Sequence, residues 1–112
     1  MVRYVMLVTY TEVGASQIQN TTRRAQMFQA VAEDLGVRVE SMLWTLGEYD
    51  AVAAVSAPDE GTAVALSAFL AKQGYVRARM LRAFTEAEFA GFLDKMPGLN
   101  YLSGPTLEIE HD

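Results

Sequence analysis

Apolar residues recur at two different spacings along the chain, and the spacings predict strands and helices in alternation. Residues 3–11 alternate with a period of two, and both of the faces so formed are largely apolar, which is typical of a strand covered on both sides. Over residues 15–35 the apolar positions fall on one helical stripe. This segment predicts a helix with a possible restart at Asn20–Thr22 and an end at Gly36.

The middle of the chain predicts a hairpin, a second helix and a fourth strand. Residues 37–46 and 49–57 read as strands, and Gly47–Glu48 between them suits a two-residue turn. Residues 60–72 are rich in alanine and predict a helix, and residues 75–84 predict the last strand of the unit.

The C-terminal part begins with a helix start signal. Thr85 and Glu88 have the spacing of a capping box, in which the hydroxyl and the carboxylate each accept a backbone N–H. A short helix follows and is broken at Met96–Pro97–Gly98. Residues 106–111 alternate again, so a fifth strand is possible there.

The order β-α-β-β-α-β predicts an α+β fold of ferredoxin-like type. Right-handed crossovers give an antiparallel sheet in the order 4-1-3-2 with both helices on one face. Charge placement agrees, because charged side chains protect sheet edges from stray pairing. The predicted edge strands carry five charged residues: Arg38, Glu40, Arg77, Arg79 and Arg82.

A sheet that is apolar on both faces predicts self-association. Two helices cover one face only, and an exposed apolar face would exceed the few hundred Å² that monomers usually show. A second copy of the same sheet is the simplest cover, so we expect a homo-oligomer. The possible fifth strand at 106–111 could also pair across subunits.

Composition narrows the class of protein. The chain has 112 residues, which fits one domain, and it contains no cysteine, which excludes disulfides and thiolate chemistry. A net charge of −5 with scattered Lys and Arg argues against nucleic-acid and anionic-membrane partners. No export signal and no apolar run near the ~20 residues of a spanning helix is evident, so a cytoplasmic location is expected.

Three segments of the chain resemble the GYD domain family. The hairpin segment 44–50, with Gly47, Tyr49 and Asp50, looks like the family's G-x-Y-D motif; Ala57–Asp59 and the last strand with Gly74 match in the expected order. The resemblance covers residues 3–93 and implies a domain over 1–93 of the dimeric α/β-barrel kind. It implies no established activity, cofactor or catalytic residue. The tail 94–112 departs from the family pattern and is a candidate oligomer contact.

Tyr49 and Asp50 are the first candidates for a ligand site. As neighbours on a strand they would point to opposite sheet faces, so only one of them could reach a given pocket, as a hydroxyl donor or a carboxylate base. The structural alternative is that Tyr49 packs on the sheet and Asp50 hydrogen-bonds the turn. That alternative is favoured.

Three further residues are candidates for ligand binding. Arg77, which shares a strand face with Arg79, could hold a carboxylate or phosphate, or could pair across an interface and protect the edge. Trp44 and Tyr10 are amphipathic aromatics that could surround a pocket for a flat organic ligand, although strand aromatics are more often core or interface.

Metal and nucleotide chemistry find little support in the sequence. His111 is the only histidine and lies between Glu110 and Asp112, but a catalytic zinc site usually needs three protein ligands in fixed geometry. The glycines are too far apart for a phosphate loop. No metal or cofactor is predicted.

Three functions remain open. The first is an oligomeric module that binds an apolar or aromatic metabolite between sheet and helices or at a subunit junction. The second is a cofactor-free monooxygenase or isomerase of the dimeric α/β-barrel type, for which fold analogy is the only support. The third is a structural or regulatory assembly subunit without a pocket.

Overall fold

The computed structural model describes residues 1–98, which form four strands and four α-helices. The elements in chain order are β1 (Val2–Tyr10), α1 (Glu12–Ser16), a 3-10 turn (Ile18–Asn20), α2 (Thr21–Asp34), β2 (Arg38–Trp44), β3 (Ala51–Ala57), α3 (Glu60–Gln73), β4 (Val76–Ala83) and α4 (Glu86–Leu93). The possible strand at 106–111 and His111 lie outside the described residues.

The four strands form one antiparallel sheet in the order β2-β3-β1-β4. Read from the β4 edge this is β4-β1-β3-β2, the order predicted from the sequence. In register, Met6 of β1 lies opposite Ala53 of β3 on one side and Met80 of β4 on the other. The sheet is open, so β2 and β4 are its two edges and carry the five charges expected there.

The hydrophobic core lies between one face of the sheet and the helices α2 and α3. Phe28 and Ala32 of α2 and Leu66 and Leu70 of α3 are buried against the inward side chains of the central strands. The core cluster consists of Tyr4, Met6, Phe28, Ala32, Val37, Ala53, Val55, Ala57, Ala63, Leu66 and Leu70. Both helices therefore cover the same face, as the topology predicts.

The other face of the sheet, which we call the open face, is covered by no helix of the described chain. Register places on it Val5 and Leu7 of β1, Val52 of β3 and Leu81 of β4, since each pair of opposed residues shares a face. Leu81 is 47% exposed, and Val5, Leu7 and Val52 are half-buried. The middle of the open face is therefore apolar, as the sequence pattern indicates, and Arg77 and Arg79 border it on β4.

Side-chain caps and a glycine define the ends of α3 and α4, and the cap of α4 is the one that the sequence predicts. Thr85 and Glu88 form both halves of the capping box at α4, and the Thr85 N–H lowers the pKa of the Glu88 carboxyl. At α3, Asp59 Oδ1 accepts the Thr62 N–H at 2.7 Å, and this bond lowers the pKa of Asp59. Gly74 ends α3 in the left-handed conformation, with φ +81°.

The connection between β2 and β3 is longer than the two-residue turn predicted from Gly47–Glu48. It is a six-residue loop, 45–50, in which Gly47 has φ +119° and Leu46 is fully exposed. The Thr45 N–H donates to the Asp50 carbonyl at 3.0 Å and so closes the loop at its base. Tyr49 and Asp50 consequently belong to the loop and not to a strand.

The first helical segment also begins earlier than predicted. Thr11 caps α1 by accepting the Gly14 N–H at 3.1 Å, so helical structure starts at Glu12 and not at Ala15. The expected break near Asn20 is present as the 3-10 turn that precedes α2. None of the helices in residues 1–98 combines the length and apolar character needed to cross a membrane.

Candidate functional site

A cavity of about 90 Å³ lies between the helix-covered face of the sheet and the helices α2 and α3, and it is partly open to solvent. Its interior is apolar. Buried or half-buried side chains from β1, β2, β3, α2 and α3 form much of its wall: Met6, Phe28, Met42, Ala53 and Leu70. The central strand β3 contributes only the small side chains of Ala51 and Ala53 to the lining.

The mouth of the cavity carries three linked polar groups. Trp44 Nε1–H donates to Thr21 Oγ1 at 3.4 Å, and the Thr21 hydroxyl donates to the Tyr10 hydroxyl oxygen at 3.3 Å. The first distance exceeds the roughly 2.7–3.2 Å usual for N–H···O bonds and the second the roughly 2.5–3.0 Å usual for O–H···O bonds, so the groups are weakly engaged with one another. A ligand oxygen that entered the mouth could take over these hydrogen bonds.

Arg24 is the one charged residue among those lining the cavity. Its guanidinium lies 3.6 Å from the centre of the Tyr75 ring, and one of its nitrogens donates to Gln17 Oε1. Within residues 1–98 no carboxylate lies within 4.0 Å of it. The positive charge is therefore positioned by an aromatic ring and an amide, and the described chain does not neutralise it.

Contacts of Thr11 hold the end of β1, where Tyr10 lies, against Gly74 and Tyr75, which directly precede β4. The Thr11 hydroxyl donates to the Gly74 carbonyl at 2.6 Å, and the Thr11 N–H donates to the Tyr75 carbonyl at 3.1 Å. Gly14 packs directly on the same carbonyl, because a Cβ at this position would lie 2.0 Å from Tyr75 O. The start of α1 is thus fitted closely to the start of β4, beside the mouth.

The candidates Tyr49 and Asp50 do not line the cavity. The Tyr49 carbonyl accepts the Thr45 hydroxyl at 2.6 Å within the loop. Asp50 Oδ2 accepts the Tyr10 N–H at 2.8 Å, and the Asp50 N–H donates to the Val8 carbonyl at 2.8 Å. Asp50 therefore attaches the loop to the end of β1, which corrects the expectation that the two side chains lie on opposite faces of one strand.

The other three candidate residues lie in two different parts of the structure. Trp44 and Tyr10 both line the cavity, at the ends of β2 and β1. Arg77 lies opposite Thr9 on the open face, on the same face as Arg79, and does not line the cavity. A role for Arg77 in the same site as Trp44 is therefore not supported by the geometry.

Comparison with known proteins identifies the family. The model of the GYD domain family matches residues 4–93, from the third residue of β1 to the end of α4. The chain belongs to the GYD domain family. A Thermus thermophilus protein described as "glutamine synthetase and cystathionine beta-lyase binding protein" is 34% identical over 89 residues, which cover 79% of this chain and 94% of the relative. No solved structure matches the chain.

Sequence reasoning missed Thr21 and Arg24 as site residues of this GYD domain. Arg24 lies four residues before the buried Phe28 and three after Thr21. Residues at these spacings share one helix face. A charged residue on the stripe that carries the buried Phe28 was the available signal.

Proposed function

We propose that this GYD domain binds a small apolar or aromatic metabolite in the cavity between its sheet and its helices, as a ferredoxin-like subunit of an oligomer of the dimeric α/β-barrel type. The observation that supports the proposal is an apolar cavity with three weakly engaged polar groups at its mouth. Apolar clefts with a few convergent polar groups are typical of small-molecule sites.

The size of the cavity limits the ligand. At about 90 Å³ it is smaller than the roughly 300–1,000 Å³ of drug-sized sites. A single ring or a short branched chain fits inside, while any polar group of the ligand would remain at the mouth near Trp44 and Tyr10. Larger polycyclic molecules fit only if the walls move.

The lining favours binding over catalysis. A cofactor-free monooxygenase or isomerase needs a group that accepts or donates a proton at the substrate. The residues that line the cavity include no carboxylate and no histidine, and their ionisable groups are Arg24 and the phenols Tyr10 and Tyr75. The enzyme alternative therefore gains no support from this site.

The methionines provide a direct test. Met6 and Met42 line the cavity, whereas Met27 is 56% exposed on α2 and serves as an internal control. In protein labelled with ¹³C at the methionine methyls, titration with the neutral probe benzyl alcohol should shift the Met6 and Met42 signals saturably and leave Met27 in place. The aromatic ring of the probe would produce these shifts.

A matched pair of substitutions locates the probe. Ala25→Leu fills the cavity from α2 and should abolish the saturable shifts, whereas Ala30→Leu adds the same volume on the exposed side of the same helix and should preserve them. Shifts that never saturate, or that survive Ala25→Leu unchanged, would contradict the proposal.

A second candidate function is the binding of metabolic enzymes. It is favoured by the name of the Thermus thermophilus relative, which describes binding to glutamine synthetase and cystathionine beta-lyase. Purified chain mixed with the glutamine synthetase of the same cell should co-elute on size exclusion if the role is shared. Separate elution of the two proteins at micromolar concentration would argue against it.

A further inference from the structure

We propose that the ligand is a small carboxylic acid in its ionised form, with its apolar part inside the cavity and its carboxylate on Arg24. This inference rests on the proposed function, because it requires the cavity to be a ligand site. Beyond that function, it specifies the charge of the ligand and names Arg24 as the residue that selects for this charge.

The position of Arg24 supports the proposal. A guanidinium stacked on a ring keeps its N–H groups in its own plane, where they are directed away from the ring. Arg24 is stacked on Tyr75 and donates to Gln17 through one nitrogen, so further N–H donors stay available at the wall of the cavity. The planar fork of these donors matches a carboxylate.

The surroundings of Arg24 lack a competing anion. No carboxylate of residues 1–98 lies within 4.0 Å of the guanidinium, and the first turn of α2, which contains Thr21, carries no acidic residue. The half-buried charge also stands near the positive end of α2. An incoming carboxylate would be attracted by the Arg24 charge and by the positive end of α2, and it would not have to displace a protein anion.

The polar groups at the mouth fit the same ligand. Trp44 Nε1–H, the Thr21 hydroxyl and the Tyr10 hydroxyl lie at the opening with long mutual hydrogen bonds. Each of them can donate to an oxygen of the ligand. The chain as a whole carries a net charge of −5, so it does not attract anions at long range, and selection for an acid would depend on this local set of donors.

The test compares an acid with its uncharged amide of nearly the same shape. Phenylacetate and phenylacetamide are titrated into the methionine-labelled protein, and the Met6 and Met42 shifts are followed. We expect the acid to bind at least about tenfold more tightly than the amide, because hydrogen bonds to an ionised group are roughly twice as strong as neutral ones.

Two variants assign the preference to Arg24. Arg24→Met should remove the preference, because it weakens binding of the acid more than binding of the amide while the methionine keeps the apolar stem. Arg23→Met removes the same charge from the neighbouring, exposed position and should keep the preference. A preference that persists in R24M, or one lost equally in R23M, overturns the assignment.

The outcomes separate this inference from the function on which it rests. Equal affinity of the wild-type protein for acid and amide overturns the anionic ligand but leaves the cavity as a binding site, and this measurement decides the matter even if R24M fails to fold. Absence of saturable binding by both probes and by benzyl alcohol overturns the proposed function as well.

Discussion

The Asp50 carboxylate accepts the backbone N–H of Tyr10, with 2.8 Å between Asp50 Oδ2 and the nitrogen. The bond joins the loop 45–50 to the end of β1, one residue before Thr11 and directly at the mouth of the cavity. Asp50 thus acts on the candidate site through the position of Tyr10.

Asp50→Ala should lower the free energy of unfolding by about 1–3 kcal/mol, since it leaves a partly buried N–H without its acceptor. Asp50→Asn keeps a side-chain oxygen as acceptor and should cost less. Urea unfolding followed by circular dichroism measures both. Glu48→Ala, which changes an exposed residue of the same loop, should be nearly neutral; a loss equal to that of D50A would mean that the hydrogen bond is not the cause.

Gly14→Ala should destabilise the protein by about 1–3 kcal/mol or more, because the new Cβ would clash with a backbone carbonyl that cannot rotate away. The carbonyl is that of Tyr75, so the shift would also disturb the cavity mouth. Gly91→Ala is the matched control: its Cβ meets no atom within 4 Å on α4, and helix propensity predicts no loss or a gain of up to about 1 kcal/mol. The Tm of Gly14→Ala should therefore fall, whereas the Tm of Gly91→Ala should stay the same or rise. An equal fall in both variants would contradict the packing argument.

The N-terminal cap of α3 should make stability depend on pH in the acid range. The Thr62 N–H lowers the pKa of Asp59 in the folded protein, so the unfolded chain binds the proton more readily. The stabilisation by the ionised Asp59 carboxylate is fully present above the pKa of Asp59 in the unfolded chain. It is lost as the pH falls through the lower pKa of Asp59 in the folded protein. The difference in Tm between wild type and Asp59→Ala should therefore be largest near pH 7 and narrow below about pH 4.

Glu33→Ala serves as the reference for this pH series, because it removes an exposed carboxylate on the outer side of α2. Its Tm should follow that of the wild type across the range. A gap between wild type and D59A that stays constant down to about pH 2.5 would show that the ionised cap is not responsible.

The open face should be the surface through which copies of the chain associate. Leu81→Glu places a charge on that face, and light scattering after size exclusion should show a fall from the oligomer to the single-copy mass. Val64→Glu is the control. Val64 is exposed in the single chain, at 61% against 47% for Leu81, but it lies on α3 and not on the open face, so this variant should keep the oligomer mass. A wild-type protein that is itself single-copy at micromolar concentration would refute the homo-oligomer.

The order of elements was predictable because it depends on spacing and on capping residues that act locally. The stripe through Phe28 and Ala32, the capping box Thr85–Glu88 and the charged edge strands all indicated their structures correctly. The loop 45–50 was not predictable from the G-x-Y-D pattern, because its length is set by the contacts of Asp50 with β1, 40 residues away in the sequence.

The site was only half predictable for a similar reason. Trp44 and Tyr10 stood out as amphipathic aromatics on strands, but the role of Arg24 depends on Tyr75, which follows it by 51 positions and meets it only in the folded chain. Asp50 drew attention through its motif, and its contact turned out to be structural. Tertiary contacts of this kind leave no local spacing to detect.

The irregularity in β2 changes what this edge of the sheet offers to another strand. Between Val39 and Ser41 the register with β3 shifts, and Glu40, the extra residue, accepts the hydroxyl of the buried Ser56 at 2.6 Å. Such a bulge twists an edge strand and interrupts its row of unpaired backbone groups, so another chain cannot extend the sheet in continuous register. Edge-to-edge addition of a further strand is thereby obstructed at this border of the sheet.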